Sequence, residues 1–297
     1  LYVLGVGGTF NFYTSPDAKD PEITTMYLYQ SGLTLPDRDY YSKEEEKFVN
    51  LRTATEIYMA EILTKVGHES GTKAARKIMA LEKDIAGKHL SRVESRDAEK
   101  NYNKRSATQV KKLLGNFDWQ AYADASGVGQ VSDMVVRNLP YFEEMAGIFA
   151  AHDLQTWKDY LIFNLVDTYA SRLSQDMVDL HFAFHSTTLS GIPEQRPRWK
   201  RAVAATSNVL GEVLGQQYVE RHFTPEAKAK MDVLVQNLTK AYGDSINQLE
   251  WMTVETKKAA LEKLAAFTPK IGYPDKWRDY SNLDIKADDL VGNYIRY

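Results

Sequence analysis

With 297 residues, 37 of them lysine or arginine and 40 aspartate or glutamate, the chain has room for one large domain or two small ones and a formal charge of −3. That near-balance excludes a nucleic-acid partner held by bulk charge, and no apolar run reaches the roughly 18 residues of a membrane span. Cysteine is absent, which excludes disulfide frameworks, thiolate metal sites and cysteine nucleophiles.

The chain opens on an apolar stretch, LYVLGVGGTF, with no basic-then-apolar signal segment, and is expected to be entered partway through a longer sequence. Residues 1–41 are β-rich, with VLGVGGTFNFYTSPDAKD and ITTMYLYQ expected to form a short strand pair. From residue 42 the pattern is helical. Ser42 with Glu45 reads as a capping box and Gly67 as the stop of the first long helix, along which Phe48, Leu51, Ile57, Tyr58, Ile62 and Val66 keep helical spacing. A second helix is predicted from about Lys73 to Leu90, and a third over Met134 to Phe149, interrupted by Pro140. The longest periodic run extends from Asp153 past Leu180, with Ile162, Leu165, Tyr169, Leu173, Met177, Leu180 and Phe184 at three- and four-residue steps. IPEQRP then marks a loop. Three more helices follow, over Arg198 to Arg221, Pro225 to Glu250 and Val254 to Phe267, before Thr268-Pro269 and Gly272-Tyr273-Pro274 end the pattern.

Short motifs give little chemistry. HFAFH, residues 181–185, has the four-residue histidine spacing of the zinc motif H-E-x-x-H, but Phe182 stands where that motif needs its glutamate base. The nearest acids, Asp176 and Asp179, precede the pair, so no third ligand is visible and the histidines read as boundary residues beside the apolar stripe. GHES, residues 67–70, lacks a second histidine and reads as a helix end. GVGG, residues 5–8, precedes no helix with a downstream acid and reads as a turn. PRWKR, residues 197–201, is too small for a nucleic-acid footprint and is expected to pack Trp199 while its basic groups stay in water. On these residues alone, no catalytic, cofactor-binding or metal-ligating residue is assigned.

Longer stretches carry more. SGLTLPDRDYY (31–41), RPRWKRAV (196–203), LGEVLGQQYVERHF (210–223), WMTVETKKAALEKL (251–264) and KIGYPDKWRDYS (270–281), in this order, resemble the N-terminal region of the neprilysin family of zinc metalloendopeptidases, which includes bacterial PepO-like oligopeptidases. The resemblance implies a mainly α-helical lobe that covers a thermolysin-like catalytic lobe and encloses a chamber for oligopeptides. It also implies that the family's zinc-binding H-E-x-x-H would follow the IGYP segment, which here runs only to Tyr297. Ala202 stands where animal members carry a cysteine, which points to the bacterial branch. Ser31 replaces a usual glycine and Thr253 a usual acid or serine, and His185 stands where the family typically has tyrosine.

The resulting expectation is a multi-helix lobe over 1–297, incomplete at its N-terminus, with a β-rich opening segment (1–41), a helical body (42–267) and an IGYP segment (268–297) leading toward a catalytic zinc lobe. The zinc cofactor would belong to that lobe. The expected partners are the catalytic lobe and oligopeptide substrates, the location is extracytoplasmic, and the chain alone is expected to be inactive and to expose apolar surface where the other lobe would sit. The alternative is a free-standing, non-catalytic peptide- or partner-binding relative.

Overall fold

The computed structural model describes residues 1–297, which form two compact units, Leu1–Gln195 and Arg196–Tyr297. The first contains a four-stranded sheet in the order β1-β2-β4-β3, made of β1 (Phe10–Pro16), β2 (Thr24–Gln30), β3 (Lys104–Ser106) and β4 (Asp133–Val136). β1 and β2 are an antiparallel hairpin with Phe10 opposite Gln30, whereas β2 and β4 run parallel with Tyr27 beside Val135. Thr25 to Leu28 are all buried, as a central strand covered on both faces requires.

Eight helices surround the sheet: α1 (Asp39–Ser42), α2 (Glu46–Lys65), α3 (Gly71–Lys88), α4 (Ala107–Leu114), α5 (Trp119–Ala125), α6 (Leu139–Ala151), α7 (Leu154–Ala170) and α8 (Gln175–His181). α3 repeats Ala74, Ala75, Ile78, Leu81 and Ile85 on its inner side, and these pack with Met59, Ile62 and Leu63 of α2 and Tyr160 and Phe163 of α7. Each wholly buried Leu, Ile or Phe contributes about 2 kcal/mol relative to exposure. At the end of α2 the His68 N–H bonds to the Leu63 carbonyl and the Gly67 N–H to that of Thr64, with Gly67 at φ +86°. That is a complete Schellman stop at the predicted glycine.

Several local expectations are corrected. Ser42 caps nothing: it ends the single turn α1, donates its hydroxyl to the Arg38 carbonyl, and leaves α2 to start at Glu46. The reciprocal capping box lies instead at Ser106 and Gln109. Met134–Val136 is a buried strand, and Pro140 sits in the first turn of α6, where its missing N–H costs no helical bond. The run from Asp153 to Leu180 breaks after Ala170, and its inner side is Tyr160, Phe163 and Ala170, whereas Ile162 and Leu173 face water. Ile57 and Val66 of the first long helical stretch are likewise exposed.

The second unit holds α9 (Arg198–Val209), α10 (Gly211–His222), α11 (Pro225–Gln248), α12 (Val254–Ala265) and α13 (Leu290–Arg296). The expected helix over Arg198 to Arg221 is two helices, because Leu210 leaves helical geometry (φ −117°, ψ 36°) just before Gly211. Taken together, the fold is mainly α, with a small sheet confined to the first unit.

The stretch SGLTLPDRDYY is held by one buried carboxylate. Glu82 of α3 accepts the Thr34 N–H (3.1 Å), the Thr34 hydroxyl (2.7 Å) and the Tyr41 hydroxyl (2.5 Å), and the Tyr41 oxygen in turn accepts the Leu35 N–H (3.0 Å). Gly32 lies at φ +98°, and a Cβ there would meet the Tyr160 hydroxyl at 2.7 Å and the Thr9 Cα at 2.8 Å. Burial pushes the Glu82 carboxyl up to about 7 against the opposing hydrogen bonds from Tyr41 and Thr34. A carboxyl raised from 4.5 to about 7 on folding gives stability that is fully present below about pH 4.5 and lost as the pH rises through about 7. Nearby His89 has the opposite slope: burial lowers it to about 4, so its neutral ring, donating to the Ser31 carbonyl, loses stability as the pH falls below its ordinary 6.5 toward 4.

Glu82→Gln, with no proton to lose, is therefore expected to remove the Glu82 component from the pH dependence of the unfolding midpoint between about pH 5 and about pH 8. Glu82→Ala, which strands the Thr34 N–H and Tyr41 O–H, is expected to cost about 3 kcal/mol in denaturant titrations. A Glu82→Gln pH profile superimposable on that of the parent contradicts the assignment.

Candidate metal centre and uncovered helical faces

HFAFH lies where α8 passes into a π-helical segment, Phe182–Thr188. In that segment the Thr188 and Ser190 hydroxyls reach back five residues to the Ala183 and His185 carbonyls. Such segments are rare and often mark functional sites. The rings of His181 and His185 stand 4.4 Å apart between centroids, tilted by 34°. Asp167 of α7 meets them: its Oδ1 accepts His185 Nε2–H at 2.8 Å and the Tyr58 hydroxyl at 2.5 Å. Ligand atoms of Asp167, His181 and His185 all lie within 4.8 Å of one another, and each residue is half-buried.

Aromatic packing fixes this arrangement. Tyr58 stacks on Phe184 (4.3 Å, 9°) and meets the His185 ring edge-on at 5.4 Å. Burial favours a neutral Asp167, but the hydrogen bonds from His185 and Tyr58 outweigh it and hold the carboxyl below its usual range. Burial, then the His185 charge, pushes His181 down, toward the neutral imidazole that ligates metals. Burial and then Asp167 push the Tyr58 hydroxyl up, so it stays a protonated donor.

Sequence spacing does not single out Asp167: of the predicted stripe Tyr169, Met177 and Phe184 are buried, but Ile162 and Leu173 face water and the buried side of α7 also includes Tyr160, Phe163 and Ala170. With Tyr160, Phe163 and Ala170 buried, Asp167 falls in the same stripe, and a charged residue within an apolar stripe is the signal that points to it. Glu82 occupies the equivalent place among Ile78, Leu81 and Ile85 of α3.

The other motifs resolve into structure. His68 of GHES accepts the Ser70 N–H on Nδ1 and donates from Nε2 to Asp159 Oδ1 at 3.2 Å, a structural role at the helix end. GVGG is a turn, with Gly5 at φ +70°. A cleft of about 400 Å³ beside SGLTLPDRDYY includes Arg38 and Arg92, but Arg38 bonds the His89 carbonyl at 2.7 Å and Arg92 pairs with Asp37 at 2.9 Å. Trp199 does not pack as expected: it is 64% exposed, with the Lys200 ammonium 5.4 Å from its ring centroid.

Trp199 belongs to a wider pattern. Among the five helices of Arg196–Tyr297, α10 to α13 bury no residue and α9 buries only Val209. Tyr218, Leu234, Leu238, Tyr242, Trp251 and Phe267 are all more than half exposed. A unit of this size ordinarily has a core of its own, and bare aromatic and aliphatic faces on this scale mark an interaction surface.

A mainly helical lobe with uncovered apolar faces and no hydrolytic zinc motif is the class of molecule the fold defines. Residues 1–274 match the N-terminal part of peptidase family M13, and the chain belongs to that family, the neprilysin family, as its N-terminal portion. It is similar to Mycobacterium tuberculosis zinc metalloprotease ZMP1 in its open state, at 38% identity and a TM-score of 0.87 over 99% of this chain and 46% of that one. Its fold also matches PepO from Lactobacillus rhamnosis HN001, at 21% identity and a TM-score of 0.84. Human endothelin-converting enzyme 1 is 28% identical over 95% of this chain and 37% of its own length. The chain thus spans less than half the length of these relatives. No helix is long and apolar enough to cross a membrane.

Replacing Trp199, Trp251 and Phe267 together by serine is expected to reduce binding of a hydrophobic dye by the purified chain while moving its unfolding free energy by no more than about 0.5 kcal/mol per site. A collapse of stability in that variant would mean that these side chains are core residues of the chain alone.

Proposed function

We propose that this chain is the non-catalytic helical lobe of a zinc metalloendopeptidase that hydrolyses oligopeptides, and that it forms the wall and lid of the substrate chamber. The observation that carries this reading is coverage: 99% of the chain superposes on 46% of a zinc metalloprotease. The bare faces of α10 to α12 support it, because a catalytic lobe packed against them supplies the core that the second unit lacks.

Zinc in such an enzyme polarises the scissile carbonyl and activates water. The residues of this chain do not fit that catalytic role. H-E-x-x-H does not occur in it, and Phe182, not a carboxylate, follows His181. The contribution of this lobe is steric: it excludes folded proteins, admits extended peptides and limits the orientations in which they meet the other lobe. We further place the parent protein in the periplasm or envelope of a bacterium. The cysteine-free composition and Ala202 support the bacterial branch, and the family's extracytoplasmic character supports the compartment.

The purified chain, supplied with zinc and fluorogenic oligopeptides, is expected to show no cleavage above a zinc-free control. Zinc-dependent turnover by the chain alone contradicts the proposal. Reading the gene past Tyr297 separates it from a free-standing binding relative: an in-frame H-E-x-x-H supports the lobe, and a stop codon supports the relative.

A further inference from the structure

We propose that Asp167, His181 and His185 form a binding site for a zinc-class divalent transition-metal ion. Two imidazoles and one carboxylate are a donor set that zinc and its first-row neighbours accept, whereas calcium and magnesium require oxygen-rich sites. The separations lie near those of a tetrahedral site. Tetrahedral zinc with bonds of about 2.0–2.1 Å places its ligand atoms about 3.4 Å apart. Here His185 Nε2 and Asp167 Oδ1 are 2.8 Å apart and all three ligand atoms lie within 4.8 Å.

Three features favour a ligand site over a hydrogen-bonded cluster. Asp167 uses one oxygen for both of its hydrogen bonds, from Tyr58 and His185, and leaves Oδ2 uncommitted. His181 faces the pair at ring distance, yet it makes no hydrogen bond that would explain its half-buried position. The Tyr58 hydroxyl on the carboxylate and the Tyr58 ring on His185 supply the supporting contacts that orient metal ligands. Arg172 is the nearby opposing charge, and it is turned back to the Thr168 carbonyl at 2.9 Å. Lys65 is paired with Asp176 at 2.5 Å.

When the metal enters, it takes the lone pair on His185 Nε2, and the proton now shared with Asp167 moves to Nδ1 or to water. Three protein ligands leave one position for water, but Phe182 supplies no general base, so the bound ion would clamp α7 to the end of α8 without hydrolysing anything.

The test is titration of the untagged, chelator-treated 297-residue chain with zinc chloride, followed by calorimetry, together with cobalt(II) as a spectroscopic probe. The expected result is one zinc per chain, a tetrahedral cobalt spectrum and a raised thermal midpoint in zinc. Asp167→Asn and His181→Ala are each expected to weaken zinc binding by about tenfold or more. His181→Ala keeps the Tyr58–Asp167–His185 hydrogen bonds, so its fold and metal-free midpoint should match those of the parent. Absence of saturable binding, or equal affinity in His181→Ala, overturns the proposal and leaves the three residues as a hydrogen-bonded cluster only.

Discussion

Glu82 is wholly buried in the middle of α3, and an ionisable group so placed is tolerated only if its oxygens are filled. Thr34, from the loop after β2, and Tyr41, from the single turn α1, fill them. The loop is thereby fastened to the helix that contacts α1, α2, α6 and α7, and the end of β2 is fixed with it: the Gln30 side chain clamps the Leu90 backbone through both its amide groups. The carboxylate and this clamp together set where the end of the central strand β2 meets the helical layer. This gives a physical meaning to SGLTLPDRDYY, the most recognisable stretch in the chain. Its glycine is needed for a crowded left-handed turn, its threonine and second tyrosine satisfy Glu82, and its arginine bonds the carbonyl of His89 at the end of α3.

The same logic, a polar residue in an apolar stripe that must find partners, also governs Asp167. There the partners are a tyrosine hydroxyl and His185, and His181 lies against the His185 ring from the last residue of α8. A cluster of this kind knits α2, α7 and α8 together, and the proposed metal would strengthen an existing junction without creating a new one. The first unit holds the buried core, whereas the helices of the second unit present exposed apolar faces.

Much of the helical order was legible because amphipathic spacing survives in sequence. Ile78, Leu81 and Ile85 marked α3, Gly67 marked a stop, and the prolines of IPEQRP marked a loop at the end of the first unit. What could not be read depended on tertiary contact. Met134–Val136 is a short, fully buried apolar run, which periodicity cannot tell from a helix, and only its pairing with β2 makes it a strand. α7 carries apolar residues on more than one face, so its spacing allowed two phases. The predicted stripe holds at Tyr169 but not at Ile162, and Asp167, the third member of the histidine cluster, lies on the side with Tyr160 and Phe163. The family resemblance was carried by long stretches, not by short motifs, and it extends over both units.

Leu1–Gln195 carries its own core, and the proposed function has Arg196–Tyr297 complete its core against another lobe. Native-state hydrogen exchange of the isolated 297-residue chain tests this most directly, because protection follows buried apolar contact. Slow exchange in α2, α3 and α7, with little protection along α10, α11 and α12, is the predicted result. Protection of α11 and α12 equal to that of α3 would contradict it, since the second unit would then be stable without a partner.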